Sequence, residues 1–122
     1  MTKAIRIHEN GGPEVLKYED VEVGQPGQGQ ALIRQTAVGL NFLDIYYRTG
    51  LYPAPGGLPF IPGGEGAGVV EAVGPGVTDL KPGDRVAHAA GTGSYAEQRL
   101  IAADRLVRLP DTISDRQAAG MM

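Results

Sequence analysis

One short segment of this 122-residue chain concentrates side chains that could do chemistry. Three of the five tyrosines fall between positions 46 and 52, beside an amide, a carboxylate and a guanidinium. Flat rings can stack on a planar ligand while polar tips orient it, so the segment could form a pocket wall. The same residues could be structural, with the amide and the acid capping a helix while the tyrosines pack. Spacing alone leaves both interpretations open for Asn41, Asp44, Tyr46, Tyr47, Arg48 and Tyr52.

The chain also contains a glycine-rich run, GGEGAG, at positions 63–68. A dinucleotide-binding loop must follow a strand and open a helix, so that the pyrophosphate meets free N–H groups. Here the β-branched run VVEAV comes next, at positions 69–73. The run therefore predicts tight turns and close backbone packing, and no phosphate loop is expected.

Metal binding and nucleophilic catalysis have little support. The chain has two histidines, His8 and His88, and no cysteine, whereas a catalytic zinc needs about three protein ligands. We therefore interpret each histidine as an ordinary surface or core residue and expect no metal site. Ser94 lies in no nucleophile elbow and is interpreted as a turn residue.

Helix signals bracket the tyrosine-rich segment. Asn41 is a favourable N-cap, and Asp44 stands three residues later, close to a capping box. Asp44 and Arg48 have the i,i+4 spacing of a stabilising ion pair, and Gly50 suits a helix end. The pattern predicts one short helix over positions 41–48.

A second helix signal lies at the carboxyl end. Ser114 and Gln117 have capping-box spacing, and Ile113 can pack against Ala118. The sequence stops about two turns later in small and apolar residues, whereas helices average about 11–12 residues. We therefore expect the natural chain to continue beyond Met122.

The remaining pattern is that of an all-β domain, because short β-branched runs alternate with turns rich in glycine and proline. Pro82 and Gly83 predict a type II turn, since proline presets the first φ and glycine supplies the positive one. About seven strands at this spacing indicate a sandwich or a partly open barrel. The predicted strands span positions 3–8, 15–23, 31–38, 66–73, 85–89, 94–101 and 105–109.

Composition limits the function classes. The formal net charge is −3, and neither sign forms a block, so no basic stripe for nucleic acid or anionic lipid is present. No apolar run approaches a membrane span, and the first residues lack a secretory core. The absence of cysteine fits a reducing compartment. We expect a soluble cytoplasmic protein without nucleic-acid or membrane partners.

Several motifs, in order along the whole chain, carry a family resemblance. VGLNFLDIYYRTGLY at positions 38–52 closely resembles the zeta-crystallin-like quinone oxidoreductases of the medium-chain dehydrogenase/reductase superfamily. Further matches are HENGGPEVL at 8–16, PGGEGAGVVEAVG at 62–74, LKPGDRV at 80–86, GSYAE at 93–97 and SxxQAA at 114–119.

The same comparison separates this chain from the zinc enzymes of the superfamily. Zinc alcohol dehydrogenases carry Cys where this chain has Asn41 and His where it has Gly64, so the resemblance implies the zinc-independent branch. Glu65 matches an acid that lies behind the zinc in those relatives. Without the metal we expect Glu65 to be a buried hydrogen-bonding group.

The resemblance implies a mainly β, GroES-like, partly open barrel with one short helix and the start of a second. Residues 1–113 would form an incomplete catalytic domain that faces the substrate, and residues 114–122 would lead to an absent Rossmann domain that binds NADPH. The whole protein would be a homodimer that transfers hydride to a quinone or a similar planar acceptor, whereas the isolated fragment would be inactive.

The resemblance also implies site roles. Asn41 and Asp44 would hold the nicotinamide end of NADPH through hydrogen bonds. Phe42 would pack beside it, and Arg48 would fix Asp44. Tyr46 and Tyr52 would flank the quinone and steady its oxygens as the catalytic pair.

Three alternatives remain open. The first is a reductase of enones or alkenals that uses the same hydride with a different acceptor. The second is a non-catalytic GroES-like binding module, although such a scaffold needs neither the capped carboxyl-terminal helix nor the tyrosine-rich segment. The third, nucleic-acid binding, is disfavoured by the acidic balance.

Overall fold

The computed structural model describes residues 2–89 and 91–120, which form seven strands and two helices. Short 3₁₀ turns occupy Pro13–Val15 and Ala103–Arg105. The strands are β1 (Thr2–Arg6), β2 (Lys17–Val21), β3 (Gln30–Gly39), β4 (Glu65–Val73), β5 (Arg85–His88), β6 (Gln98–Ala102) and β7 (Val107–Arg108), and the helices are α1 (Phe42–Thr49) and α2 (Asp115–Ala119).

The strands form two antiparallel sheets. β1 and β2 make a two-stranded sheet, and the other five strands follow the order β6-β3-β4-β5-β7. Two isolated bridges, Ala4 with Ala96 and Ile7 with Phe60, connect β1 to segments outside the strands. The predicted mainly β, partly open barrel with one short helix and the start of a second is confirmed.

The five-stranded sheet carries the largest apolar cluster, which packs side chains from β3, β4, β5 and β6. Burying one such side chain stabilises a fold by about 1.5–3 kcal/mol, so the centre of the sheet carries much of the stability. The buried members are Ile33, Val70, Leu80, Val86, Ile101 and Ala103.

The glycine-rich run enters β4, as predicted, and no helix follows it. A Cβ on Gly66 would lie 2.6 Å from Oε1 of Gln35, and one on Gly63 would lie 2.5 Å from Cδ1 of Tyr95. Both distances are far below van der Waals contact, and Gly63 also has a φ of +104°. Close packing thus explains these glycines, and a phosphate role is not needed.

The turn before β5 also forms as predicted. Gly83 has a φ of +95°, and the Asp84 N–H donates to the Lys81 carbonyl at 3.1 Å. The Asp84 carboxylate returns to Lys81, accepting its backbone N–H at 3.1 Å and its ammonium at 2.6 Å. The backbone and the carboxylate of Asp84 therefore both bond to Lys81, which fixes the chain just before β5.

Three predicted strands are shorter than expected by three residues or more. Val15 belongs to a 3₁₀ turn, so β2 starts at Lys17, and the last predicted strand reduces to Val107–Arg108. Residues 94–97 bend between partners: the Ile5 N–H donates to the Tyr95 carbonyl at 2.8 Å, while the Tyr95 N–H donates to the Pro62 carbonyl at 3.0 Å. Because these bonds reach two separate segments, β6 begins only at Gln98.

The carboxyl-terminal capping box is confirmed. The Gln117 N–H donates to Ser114 Oγ at 3.1 Å, and the Ser114 N–H donates to the Gln117 side chain at 2.9 Å. Ala118 is buried in an alanine cluster against which Ile113 packs, as expected. Met121 and Met122, where we expected this helix to continue, lie outside the described residues.

Hydrogen bonds attach α2 to the sheet through Asp115. Its carboxylate accepts from the Thr36 hydroxyl on β3 at 2.7 Å and from the Arg85 guanidinium on β5 at 2.8 Å.

Within residues 2–89 and 91–120, neither helix is long and apolar enough to cross a membrane.

Candidate functional site

Helix α1 follows β3 directly and begins where its capping sequence predicts. Asn41 is the extended N-cap, and the Asp44 carboxylate accepts the Asn41 backbone N–H at 3.1 Å. Gly50 ends the helix with a φ of +86°, a conformation that glycine adopts without strain. The amino end of α1, which carries half of the predicted site, is therefore held by the bond between Asp44 and the N-cap.

Asp44 is buried, with only 6% of its surface exposed. Besides the Asn41 N–H, its Oδ2 accepts the Tyr95 hydroxyl at 2.6 Å. Burial and this hydrogen bond raise the pKa of Tyr95 far above its usual value. At neutral pH the phenol therefore stays protonated and remains a donor to the carboxylate.

Arg48 does not fix Asp44, so that prediction is wrong. No ion pair joins the two side chains among the residues that the structure describes. Arg48 Nε donates to the Gly11 carbonyl at 3.2 Å, and the Gly11 N–H donates back to the Arg48 carbonyl at 3.0 Å. Asp44 is turned toward its own N-cap and Tyr95, whereas Arg48 ties the end of α1 to the loop after β1.

The tyrosines form a ladder of edge-to-face contacts that ends in the core. Ring centroids are 5.6 Å apart between Tyr46 and Tyr52, and 6.2 Å apart between Tyr52 and Tyr47. Tyr47 then meets Phe60 at 6.0 Å, and Phe60 is buried with Ile7 in a separate apolar cluster. Such pairs contribute about 0.5–1.5 kcal/mol each beyond their buried area, so the ladder holds the outer rings in place.

The outer part of this region is open to solvent. Tyr46 is 37% exposed, Tyr52 47% and Phe42 76%, and Asn41 is exposed as well. Phe42 and Tyr46 are four residues apart on α1 and so lie on one side of the helix. We call this surface, made by Asn41, Phe42, Tyr46 and Tyr52, the tyrosine face.

Apolar exposure is concentrated around the tyrosine face. Of the ten large apolar side chains described as exposed, eight lie between positions 38 and 58. Exposed apolar surface on this scale is typical of an interaction or ligand site. The eight are Val38, Leu40, Phe42, Leu43, Tyr46, Leu51, Tyr52 and Leu58.

A groove of about 470 Å³ lies beside this region, between β1, β3 and the segment at 94–97. Its lining includes Val38, Leu40 and Tyr95 but none of the four residues of the tyrosine face. Asp44 and Arg48 line a much smaller pocket of about 50 Å³, which Tyr95 also borders. The structure thus places the four residues of the tyrosine face outside the lining of the groove, and places Asp44 and Arg48 at the small pocket.

A second polar group is buried inside the barrel. His88 is fully buried, and its Nε2 lies 2.9 Å from Oε1 of Gln35. The Gln35 amide donates to the carbonyls of Ser94, at 2.7 Å, and Ala96, at 3.0 Å. Arg99 donates to Ser94 Oγ at 3.2 Å. We call His88, Gln35, Ser94 and Arg99 the polar core cluster.

Burial sets the protonation of this cluster. Loss of solvent, with a smaller effect from Arg99, lowers the pKa of His88 to about 4. Loss of solvent also lowers the pKa of Arg99. His88 is therefore a neutral core histidine near pH 7, one of the two interpretations that the sequence allowed, while His8 is exposed and contacts Glu19 at 2.7 Å.

Metal ligation finds no support in the described part of the chain, where no group of three His, Cys, Asp or Glu side chains could hold an ion. The expected burial of Glu65 is confirmed, at 9% exposure. Its expected hydrogen bond is not found, since no described residue bonds its carboxylate. Gly39 packs so closely against Glu65 that the two positions exclude a side chain on the glycine.

Sequence reasoning missed Tyr95, which it treated only as part of a strand and of a family motif. A lone tyrosine in a short glycine-flanked segment, in a chain with few aromatic residues, was the available signal. Gln35 was missed as well, because a glutamine within an alternating strand resembles any solvent-facing polar residue.

Comparison with known proteins gives this region a context. The family model for the alcohol dehydrogenase GroES-like domain matches residues 27–111. A quinone oxidoreductase of Pseudomonas aeruginosa is 54% identical over 123 residues, covering 100% of this chain and 38% of that protein. A 2-haloacrylate reductase of a Burkholderia species is 44% identical over 128 residues, covering 100% of this chain and 38% of that protein.

A solved structure agrees with these relatives. The Escherichia coli quinone oxidoreductase complexed with NADPH superposes with a TM-score of 0.94 at 41% identity, covering 98% of this chain and 37% of that one. This chain therefore spans well under half the length of the proteins that it matches. The expected resemblance to quinone oxidoreductases and the expected GroES-like fold are confirmed.

Proposed function

This chain belongs to the alcohol dehydrogenase GroES-like domain family, and we propose that it is the substrate-facing domain of an NADPH-dependent quinone oxidoreductase. Residues 1–113 would form that domain, and residues 114–122 would begin the connection to a cofactor-binding domain. The observation that carries the proposal is the anchored pair Tyr46 and Tyr52, exposed at 5.6 Å centroid separation in a chain similar to quinone oxidoreductases.

The tyrosine pair suits a planar acceptor. Quinones have a flat ring and two oxygens that gain negative charge during reduction. No hydrogen bond joins the hydroxyls of Tyr46 or Tyr52 to any described residue, so both remain available as donors. Donors already in place where charge develops stabilise a transition state strongly, because they need little reorganisation. Tyr46 and Tyr52 would flank the quinone and donate to its oxygens.

The amino end of α1 suits the nicotinamide. When bound, NADPH supplies the hydride, and the protein supplies position and electrostatics. The exposed Asn41 amide can both donate to and accept from a carboxamide, and the exposed Phe42 ring can pack beside an aromatic heterocycle. Asp44 would contribute from its buried position through its bond to Asn41, and Arg48 by holding the end of α1.

The reaction would need no metal. Asn41 and Gly64 occupy the positions at which zinc relatives carry Cys and His, and neither supplies the imidazole or thiolate that such a site needs. Treatment of the full-length enzyme with EDTA should leave turnover unchanged, and elemental analysis should find less than stoichiometric zinc. Activity that disappears with EDTA and returns with zinc would refute metal independence.

A second candidate is reduction of a conjugated carbon–carbon double bond, with the same hydride and a different acceptor. The 2-haloacrylate reductase at 44% identity favours it. A non-catalytic GroES-like binding module is a third candidate. The hydroxyls of Tyr46 and Tyr52, which bond to no described residue, argue against it. We further propose that the full-length protein is a cytoplasmic homodimer without nucleic-acid or membrane partners.

The decisive experiment measures NADPH oxidation by the full-length protein with quinones and conjugated enones side by side. We expect higher kcat/KM with a quinone such as 1,4-benzoquinone than with any enone. Preference for enones would select the second candidate, and no oxidation with any acceptor would favour the binding module. Calorimetry on residues 1–122 alone should detect negligible NADPH binding, because the proposed cofactor domain is missing.

A further inference from the structure

We propose that Tyr95 is a positioning residue that sets Asn41 for the cofactor through the buried carboxylate of Asp44. The inference rests on the proposed function and extends it to a residue outside α1. No hydrogen bond or ring pair joins Tyr95 directly to a residue of the tyrosine face in the described part of the chain. Its effect would therefore pass through the hydrogen bonds from its hydroxyl to Asp44 and from the Asn41 backbone to Asp44.

Tyr95 is itself held from several directions. Its backbone N–H donates to the Pro62 carbonyl at 3.0 Å, and its carbonyl accepts from Ile5 on β1 at 2.8 Å. Its ring lies against Gly63, where a Cβ would approach Cδ1 to 2.5 Å. With both backbone and ring fixed by the barrel, the hydroxyl is a rigid donor aimed at the first turn of α1.

Asp44 transmits that constraint. It is 6% exposed, and its Oδ2 accepts both the Tyr95 hydroxyl, at 2.6 Å, and the Asn41 N–H, at 3.1 Å. A buried carboxylate is costly unless its oxygens are hydrogen-bonded. Without the hydroxyl, Asp44 gains by turning toward solvent or toward Arg48, with which it shares a small pocket. Either movement weakens its bond to the N-cap.

Movement of Asp44 would change the orientation of the exposed Asn41 amide. This side chain belongs to the capping box with Asp44, so its direction depends on Asp44 and on the backbone at the start of α1. Loss of the Tyr95 hydroxyl should therefore loosen the cofactor side of the site while the tyrosine ladder, anchored through Phe60, stays in place. Cofactor binding and acceptor binding should respond differently.

The kinetic test uses Tyr95→Phe, Asn41→Ala and the double variant in the full-length enzyme, with Tyr18→Phe as the control. Tyr18 is 68% exposed on β2 and belongs to neither α1 nor the tyrosine face. We expect Tyr95→Phe to raise the KM for NADPH about tenfold, with little change in the KM for 1,4-benzoquinone. The melting temperature should fall by a few degrees, because the buried Asp44 carboxylate loses a hydrogen bond. In the Asn41→Ala background, Tyr95→Phe should have almost no further effect on the KM for NADPH, because the effects of changes at coupled residues do not add.

A second measurement separates this inference from the proposed function. Hydrogen–deuterium exchange of the peptide that covers residues 40–46 should be about tenfold faster in Tyr95→Phe than in wild type or Tyr18→Phe. If the wild-type enzyme does not oxidise NADPH, the proposed function fails. The hydrogen–deuterium exchange measurement still tests whether the Tyr95 hydroxyl orders the backbone around Asn41. Unchanged exchange, or an equal loss of kcat/KM with and without the Asn41 side chain, would overturn the inference.

If Tyr95→Phe proves too unstable to assay, Asp44→Asn takes its place. It keeps the volume of the side chain but removes the charged acceptor, and it should raise the KM for NADPH to the same extent. A variant with a normal KM for NADPH and a raised KM for the quinone would contradict the assignment, since it would place Asp44 on the acceptor side.

Discussion

The tyrosine face and the polar core cluster both gather polar groups, yet their surroundings are opposite. In the core cluster, Gln35 and Ser94 direct nearly all of their hydrogen-bonding groups to other parts of the barrel. On the tyrosine face, the rings of Tyr46 and Tyr52 are anchored while their hydroxyls bond to no described residue.

This difference in burial and hydrogen bonding separates the groups that stabilise the fold from the groups that can bind a ligand. A buried polar group that loses its partner costs about 1–3 kcal/mol, so changes in the core cluster should appear as lost stability. An exposed hydroxyl without a protein partner costs the fold little when it is removed. Removal of these hydroxyls should therefore appear in kinetics and hardly at all in unfolding.

The largest effect should follow from Gln35→Ala. The change removes three hydrogen bonds and leaves His88 without a partner on Nε2. We expect the free energy of unfolding to fall by about 3 kcal/mol, measured by urea denaturation. Gln28→Ala, at an exposed glutamine, is the matched control and should change it by less than about 0.5 kcal/mol. Equal effects would show that the cluster does not stabilise the barrel.

Tyr52→Ala tests the opposite region. In the full-length enzyme we expect kcat/KM for a quinone to fall about 100-fold, equivalent to about 2.7 kcal/mol of transition-state stabilisation. Stability should fall by only about 1 kcal/mol, from the lost ring contacts. Tyr18→Ala, at another exposed tyrosine, should leave the kinetics unchanged. Unaltered turnover in Tyr52→Ala would remove this residue from the site.

The histidine of the core cluster should make stability depend on pH. Its pKa is about 4 in the fold, below its ordinary value of 6.5, so the unfolded chain binds more protons between these limits. The stabilising contribution is present above pH 6.5 and is lost as the pH falls toward 4, and it amounts to at most about 3 kcal/mol. The urea concentration at the midpoint of unfolding should therefore rise with pH between about 4 and 6.5. His88→Gln should abolish this rise, whereas His8→Gln should retain it.

The smallest effect concerns the contact between α2 and the sheet. Hydrogen bonds from Thr36 and Arg85 lower the pKa of Asp115, so its carboxylate stabilises the fold above the ordinary aspartate pKa and loses that effect on acidification. Asp115→Asn should destabilise by about 1 kcal/mol at pH 7. Asp111→Asn, at an exposed turn residue, provides the comparison. A loss as large as that of Gln35→Ala would place α2 within the essential core.

Local signals in the sequence predicted much of the fold. The type II turn at Pro82 and Gly83, the cap at Asn41 and the capping box at Ser114 depend on residues within four positions of one another. Close backbone packing without a phosphate loop was correctly predicted for the glycine-rich run, because the β-branched residues after it favour a strand. Strand ends were less predictable, since residues 94–97 bond to segments that are distant in the sequence.

What the sequence determined by itself was therefore the set of elements and, through ordered motifs, the family. The tertiary structure alone decided the partners of the polar side chains: Tyr95 for Asp44 across 51 positions, Gly11 for Arg48 across 37, and Gln35 for His88 across 53. The physical reason is that spacing along one helix favours Asp44 with Arg48 by only about 0.2–0.5 kcal/mol. A buried carboxylate that finds a rigid phenol donor gains more than that, and only folding brings the two together.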